Sequence, residues 1–358
     1  MAHLGDDCGL DGDNRSQGRG DRGHGGDDRG QLLLVAVLVL AAAFIVLALV
    51  VNSAIFTENM ATRDDTAGTE DALEYRAEVV DTVERAMVDA NTDPDVTKTE
   101  QALDSHIQSE IEAFDAIGSR QRAASGRLVD ITLTDSTVGE RIAQDNASRT
   151  FTDLNGNETW NPARGIDSVR NVQFNFTEID TFDPDGLIGG EDDPFLLEFE
   201  GPDESFTFRA TSEGAALFGV DLDDEVAFSI DRSGVSHDVA CVRDEDELED
   251  GLTVDRAAGT VAGEPCEGLQ RLQDDGTSLW YGETVTGPAN IEIQNGDNVR
   301  GTYSMVVDGT ADGALRNQHD DDEPYRTTAL YSVALDYHYQ THAVTYETEL
   351  RAVPGGGR

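Results

Sequence analysis

The sequence predicts an α+β protein: an N-terminal transmembrane helix, then a helical hairpin, then an external domain built on a mostly antiparallel β-sheet. Three observations carry that expectation. Leu32–Val51 is an unbroken apolar run of 20 residues. Between residues 71 and 117 apolar side chains recur at helical spacing, and after about Gly126 the repeat shortens to two.

The run LLLVAVLVLAAAFIVLALVV holds no Gly, Pro or charge. At about 1.5 Å per residue it is about 30 Å long, the hydrocarbon thickness of a bilayer. A cleaved secretory signal is the competing reading, but its apolar region is shorter and follows a compact basic start. Here 31 mostly polar residues come first, and the bond after Ser53 is only a weak cleavage candidate. Arg15, Arg19, Arg22 and Arg29 precede the run, whereas Arg63 alone follows it closely. The positive-inside rule therefore puts the N-terminus in the cytoplasm and the chain from Asn52 onward outside. No other stretch is long and apolar enough to span, so the expectation is a single-pass protein of the cell membrane, with the lipid bilayer as its first partner.

Residues 1–30, mostly Gly, Asp and Arg, have too little apolar surface to bury and read as a disordered cytoplasmic leader. Residues 31–51 form the membrane helix, and 52–126 are a helical region. Within it Leu73, Ala77, Val80, Val83 and Met87 make one stripe along Asp71–Ala90, and Asn91–Asp95, with Pro94, breaks it. Leu103, Ile107, Ile111, Phe114 and Ile117 make the second stripe along Gln101–Ile117. Two such helices joined by a short turn predict an antiparallel pair. Residues 127–352 are β-rich, with strands at Leu128–Leu133, Val169–Phe176, Leu196–Glu200, Ser205–Ala210 and Glu225–Ile230. Asn295-Gly296 predicts a tight hairpin joining Asn290–Gln294 to Thr302–Val307, and Leu330–Tyr339 pairs with Ala343–Leu350. Residues 353–358 read as a flexible tail.

Charge narrows the function. The 358 residues carry 72 Asp or Glu against 25 Lys or Arg, a formal charge of −47. That field repels phosphate, so nucleic acid is excluded as a direct partner. Lys98 is the only lysine. Acid-rich, lysine-poor chemistry suits molar salt, where a Debye length of about 3 Å screens carboxylate repulsion, and so suggests a halophile. An acidic calcium-binding protein at ordinary ionic strength is the alternative.

Arg29-Gly30-Gln31 stands directly before the apolar run. A charged residue, a glycine and an immediate helix resemble the processing site of type IV prepilins, and the resemblance implies cleavage by a prepilin peptidase after Gly30, leaving Gln31 as the mature N-terminus. The stretch RGQLLLVAVLVLAAAFIVLALVVNSAIFTENMATR is similar to the N-terminal region of haloarchaeal pilin-like membrane proteins, and its RGQ start to pseudopilins of tight-adherence systems. It implies packing with pilin-like subunits in a surface assembly of a halophilic archaeon. Val35 departs from the pattern, because many bacterial pilins carry Glu at that mature position. The resemblance covers residues 29–63, with a looser likeness near YETELRAVPG. A filament also has to tolerate 65 acidic and 21 basic side chains after residue 51, which fits a minor or tip subunit better than a bulk one. The alternative is a membrane-anchored extracellular ligand-binding or adhesion module.

Cys241 and Cys266 lie outside, where oxidation is permitted, and their spacing accommodates either a disulfide or two free thiols. Cys8 lies in the leader, and there is no CxxC. Asn146-Ala-Ser, Asn157-Glu-Thr and Asn175-Phe-Thr are glycosylation sequons predicted external; Asn14-Arg-Ser matches on the wrong side. Asp153-Leu-Asn155-Gly-Asn157 has the alternating oxygens of a calcium loop, but Arg164 stands where the bidentate carboxylate belongs, so a solvated acidic turn is the expectation. The clusters Asp221–Glu225, Asp244–Asp250 and Asp320–Glu323 read the same way. No metal site or cofactor is expected.

Catalysis is not expected either. Ser236-His237-Asp238 has triad residue types, but neighbours on a strand point to opposite faces. His338 and His342 flank a turn without a third ligand. There is no Gly-rich phosphate loop, HExxH or GxSxG.

Overall fold

The computed structural model describes residues 27–180, 193–201, 205–212, 225–232, 240–248, 251–256, 258–274, 288–311 and 314–354. The chain divides into two compact units, Met1–Asp64 and Asp65–Arg358. Helix α1, Asp27–Thr92, crosses that division, and each unit is taken by itself.

In the first unit the described residues are helical from Asp27 onward. Among the described residues the helix runs from Asp27, four residues before Gln31. Residues 1–26 lie outside the described ones. Ala36–Ser53 has a mean hydropathy of 2.7 and none of it is buried. It is the one helix among the described residues long and apolar enough to cross a membrane.

The second unit is α+β. After the end of α1 comes α2, Glu100–Ala123, whose Thr99 caps the first turn by accepting from Ala102 N. The β-strands follow: β1 Leu128–Gln144, β2 Trp160–Ile166, β3 Ser168–Ile179, β4 Phe195–Glu200, β5 Ser205–Ser212, β6 Glu225–Arg232 and β7 Ala240–Asp244. After them come β8 Leu252–Asp255, β9 Thr260–Val261, β10 Glu264–Pro265, the short helix α3 Glu267–Asp274, β11 Ala289–Gln294, β12 Val299–Asp308, β13 Tyr325–Gln340 and β14 Thr345–Ala352. They make an eight-stranded sheet, β10-β9-β8-β3-β12-β1-β13-β14, and a six-stranded sheet, β2-β11-β4-β5-β6-β7. Every described strand pairing is antiparallel.

Alternation of apolar and polar residues gives each strand one face to bury, and the two sheets bury theirs against each other. Phe174 and Phe176 of β3 meet Phe208 of β5 at ring distances of 5.9 and 6.4 Å, and Phe176 meets Phe228 of β6 at 5.6 Å. Phe151, Phe195 and Tyr303 complete this aromatic core. A second core lies on the other face of the large sheet. There Tyr75, Val79, Val83 and Met87 of α1 and Leu103, Ile107 and Ile111 of α2 cover Val129, Ile131, Leu335, Tyr337 and Tyr339. The layers run helices, large sheet, small sheet.

Side-chain bonds fasten the helices. Asn91 Nδ2 donates to Leu330 O at 2.9 Å, and Leu330 N donates to Asn91 Oδ1 at 2.7 Å. The β1–β13 register slips at this point, between Thr137 and Val138, so Asn91 satisfies backbone groups that the ladder does not. Lys98, the lone lysine, donates to the carbonyls of Ala90 (2.5 Å) and Asp93 (2.7 Å) and closes the C-terminal end of α1. Arg122 lies 3.7 Å over the Tyr75 ring and pairs with Asp71 at 3.4 Å. Tyr339 donates its hydroxyl to Asp71 as well.

One strand pairing differs from expectation. β11 and β12 do not form a hairpin: β11 pairs with β2 and β4 in the small sheet, β12 with β1 and β3 in the large one. Asn295 takes the left-handed conformation (φ 56°) that turn chemistry suggested, but Gly296–Asn298 then forms a 3-10 turn. Phe151 N donates to Gly296 O at 2.7 Å and Gly296 N to Glu158 O at 2.9 Å, and these bonds steer the chain from one sheet to the other. β13 and β14 pair as expected, with Leu335 opposite Leu350 and Tyr339 opposite Tyr346.

Candidate functional site

The large sheet's helix-facing side is apolar under α1 and α2. Farther along the same face, β8, β3 and β12 present polar residues in cross-strand rows. Thr253 stands opposite Asn175, and Asn175 opposite Thr302. In the next row Asp255 stands opposite Gln173, and Gln173 opposite Ser304. Strand alternation alone puts residues 173 and 175 of β3 on one face with 253 and 255 of β8 and 302 and 304 of β12. The last turns of α1 in this unit form a wall beside them.

Two cavities share Asn171 and Gln173 and so form one groove. The first, about 300 Å³, is bounded by Asp81, Glu84, Arg85, Val88 and Asp89 of α1 and by Asp255. The second, about 280 Å³, extends over Asn175, Thr253, Thr302 and Ser304 to Arg141 and Asp145. Asn171 adopts a left-handed φ of 49°, where the β3–β12 register slips between Ser304 and Val306. This is the geometry of a bulge, which re-aims the neighbouring side chains.

The groove's polar groups are held in a network. Gln173 Nε2 donates to Asp255 Oδ2 at 3.2 Å, and Thr253 Oγ1 to Asn175 Oδ1 at 3.4 Å. At the far end Arg141 is only 7% exposed. Its Nε donates to Ser304 Oγ at 2.9 Å, its Nη1 donates to the Tyr325 hydroxyl, and its Nη2 lies 3.6 Å from Asp145. Tyr325 donates to Asp145 Oδ2 at 2.5 Å, and His319 Nε2 lies 3.2 Å from the same carboxylate. Burial raises the Tyr325 phenol, Asp145 adds to the rise and Arg141 opposes it, so this hydroxyl stays protonated and donates. Five carboxylates and two guanidinium groups line the groove, an environment that repels anions.

The sites singled out in the sequence are scattered. Arg29, Gly30 and Gln31 lie in the first unit, within α1. Cys241 and Cys266 form a disulfide with a Cα separation of 5.7 Å, joining β7 at the edge of the small sheet to the start of α3. Arg243 reinforces this junction by donating to Val261 O at 3.1 Å. Asn146 is half-buried and its Nδ2 faces Asp322 at 3.5 Å. Asn157 is exposed but donates Nδ2 to Asp153 at 2.7 Å. Asn175, within the strand expected at Val169–Phe176, is in the middle of β3 on the groove floor.

Asp153 is not a solvated turn residue: it is 4% exposed. Its Oδ1 accepts from the backbone of Asn155 (2.7 Å) and Asn157 (2.8 Å), and its Oδ2 from the Asn157 side chain. Burial works to raise its pKa, and these bonds outweigh burial and hold the carboxyl below the usual aspartate value. Its oxygens are engaged by the chain itself, and no group of three metal-binding side chains occurs among the described residues. Ser236-His237-Asp238 lies outside the described residues, as do Asp221–Asp224 and residues 249 and 250. His338 lies 3.5 Å across from Glu347. Sequence reasoning missed Asn91, Arg141 and the groove floor. The alternation of 173 and 175 was visible, but not which strands would flank them.

A family described as "Family of unknown function (DUF7261)" matches residues 26–157. That span holds the apolar helix, α2 and β1, and ends in the Asp153 turn. No curated protein and no solved structure matches the chain.

Proposed function

We propose that the protein is a single-pass surface protein of a halophilic archaeon, with its N-terminus cytoplasmic and its sheet domain outside, serving as a structural or accessory component of a type IV pilus-like assembly. One observation carries this reading: an apolar helix with none of its Ala36–Ser53 window buried, preceded directly by Arg29-Gly30-Gln31. Such a surface is removed from water equally well by lipid or by helices of neighbouring subunits, so one segment serves both membrane storage and filament packing. We read the part of α1 in the second unit and α2 as the antiparallel helical pair, both lying against the large sheet. The Arg122 contacts with Asp71 and Tyr75, near opposite ends of the paired sequence, support it.

The Gly30–Gln31 bond is within the first turns of α1, so a peptidase has to unwind that turn. Glycine lowers the cost, being about 1 kcal/mol poorer than alanine in a helix. Gly30→Leu is expected to block maturation and keep the protein out of sheared surface filaments. Normal maturation and normal filament entry of this variant would contradict the reading.

The polar groove favours a second reading, a membrane-anchored ligand-binding module. In that case Gly30→Leu changes neither the mass nor the location of the protein.

A further inference from the structure

We propose that the groove between α1 and the large sheet is a binding site for a neutral polyhydroxylated ligand, a saccharide by its chemistry. This rests on the binding-module reading and is independent of filament entry. Thr253, Asn175, Thr302, Gln173 and Ser304 are uncharged groups that each donate and accept. A saccharide hydroxyl does the same, so every floor position accommodates a sugar oxygen in one role or the other. The rows are about 4.8 Å apart between strands and about 7 Å apart along them, which spreads these groups over the extent of a sugar chain rather than converging them on an ion.

The charges select against alternatives. Asp81, Glu84, Asp89, Asp145 and Asp255 line the groove against Arg85 and Arg141, so phosphate, sulfate and uronate ligands are repelled. The same carboxylates accept hydroxyl protons from a neutral ligand in strong charge-assisted bonds. Arg141 is held by Ser304, Tyr325 and Asp145, which fixes its donors before a ligand arrives. The larger cavity, about 300 Å³, is at the lower bound of small-molecule sites, about 300–1,000 Å³, and the second, about 280 Å³, adjoins it at Asn171 and Gln173. The polar stretch is also not demanded by the fold, since the remainder of this face is apolar beneath the helices.

The test uses the full chain in detergent and molar KCl, titrated by calorimetry and saturation-transfer NMR. The probes are maltohexaose, chitohexaose and the hexamer of galacturonic acid. At least one neutral hexamer is expected to bind and the anionic hexamer not to. Thr253→Val with Thr302→Val keeps the strand shapes and removes two floor hydroxyls. It is expected to weaken binding at least tenfold at an unchanged thermal midpoint. The productive hexamer coupled to albumin separates two sources: tighter binding than the free sugar assigns a glycan carried on a protein, equal binding a free saccharide. Binding by none of the neutral probes, or binding unmoved by the double substitution, overturns the proposal. So does a glycan on Asn175, which would fill the groove from within. A protein that keeps its leader but binds a hexamer retains this site and loses the filament reading; a processed protein that binds none does the reverse.

Discussion

At the scale of single residues the fold depends on a few side chains whose partners lie far away in sequence. Asn91 is 1% exposed and bonds both backbone groups of Leu330. Asn91→Leu leaves them buried without partners, at about 3 kcal/mol, and chemical denaturation is expected to show the loss. Gly118 is tied to Tyr75 in another way: a Cβ there would lie 2.1 Å from the Tyr75 hydroxyl. Tyr75 cannot retreat, being stacked on Phe114 and covered by Arg122, so Gly118→Ala is expected to destabilise by about 1–3 kcal/mol, read in thermal melts. Asp153 sets an acid limit. Its carboxyl is held below the ordinary value, so its contribution is complete above the unfolded aspartate pKa of about 3.9 and is lost as pH falls through the lower folded value. Asp153→Ala should flatten the melting curve's pH dependence in that window. Position 91 was legible only as the start of a helix break, because a side chain's bond to a strand 239 residues away leaves no local pattern.

At the scale of elements the contrast is between period and partner. Val83, Met87, Leu103, Ile107 and Ile111 of the two stripes are buried in one core, but Leu73, Ala77 and Ile117 are exposed and Tyr75 and Val79 take the inward positions on α1; β13 and β14 pair as expected. Alternation shows that a segment is a strand and which residues share a face, but not which sheet receives it. Thus β11 and β12 were legible as strands and not as members of different sheets; Phe151 and Glu158, whose backbones turn Gly296, are distant in sequence. The groove floor escaped for the same reason, since its rows exist only once β8 and β12 flank β3. Gly301 marks another such contact. Its φ is 145°, and a Cβ there would meet Asn175 O at 2.0 Å, so Gly301→Ala is expected to disrupt the β3–β12 pairing and the groove with it. The Cys241–Cys266 bond closes a 25-residue separation between the edge of the small sheet and α3. Cys241→Ser is expected to cost about 3 kcal/mol, lowering the thermal midpoint without changing the strand content seen by circular dichroism.

For the whole molecule, charge decides the working conditions. A formal charge of −47 repels itself in dilute buffer, and molar KCl is expected to raise the thermal midpoint by on the order of 10 °C. Mild acid should act in the same direction at low salt. Burial, with Glu292 and Glu200, raises Glu198, and burial, with Asp167, raises Asp308. Carboxyls raised on folding bind protons more tightly in the folded state, so stability grows as pH falls through their folded values, until the unfolded values are reached. Glu198→Gln should therefore narrow the gap between pH 7 and pH 5 melts. The apolar N-terminal helix was legible because twenty consecutive apolar residues need no partner to be recognised. What surrounds it depends on whether the leader is removed. The most direct measurement is the intact mass and N-terminal peptide map of the protein purified from membranes in high salt. The expected result is an N-terminus at Gln31; a chain still beginning at Met1 or Ala2 would contradict prepilin-type processing and leave a permanently anchored surface domain.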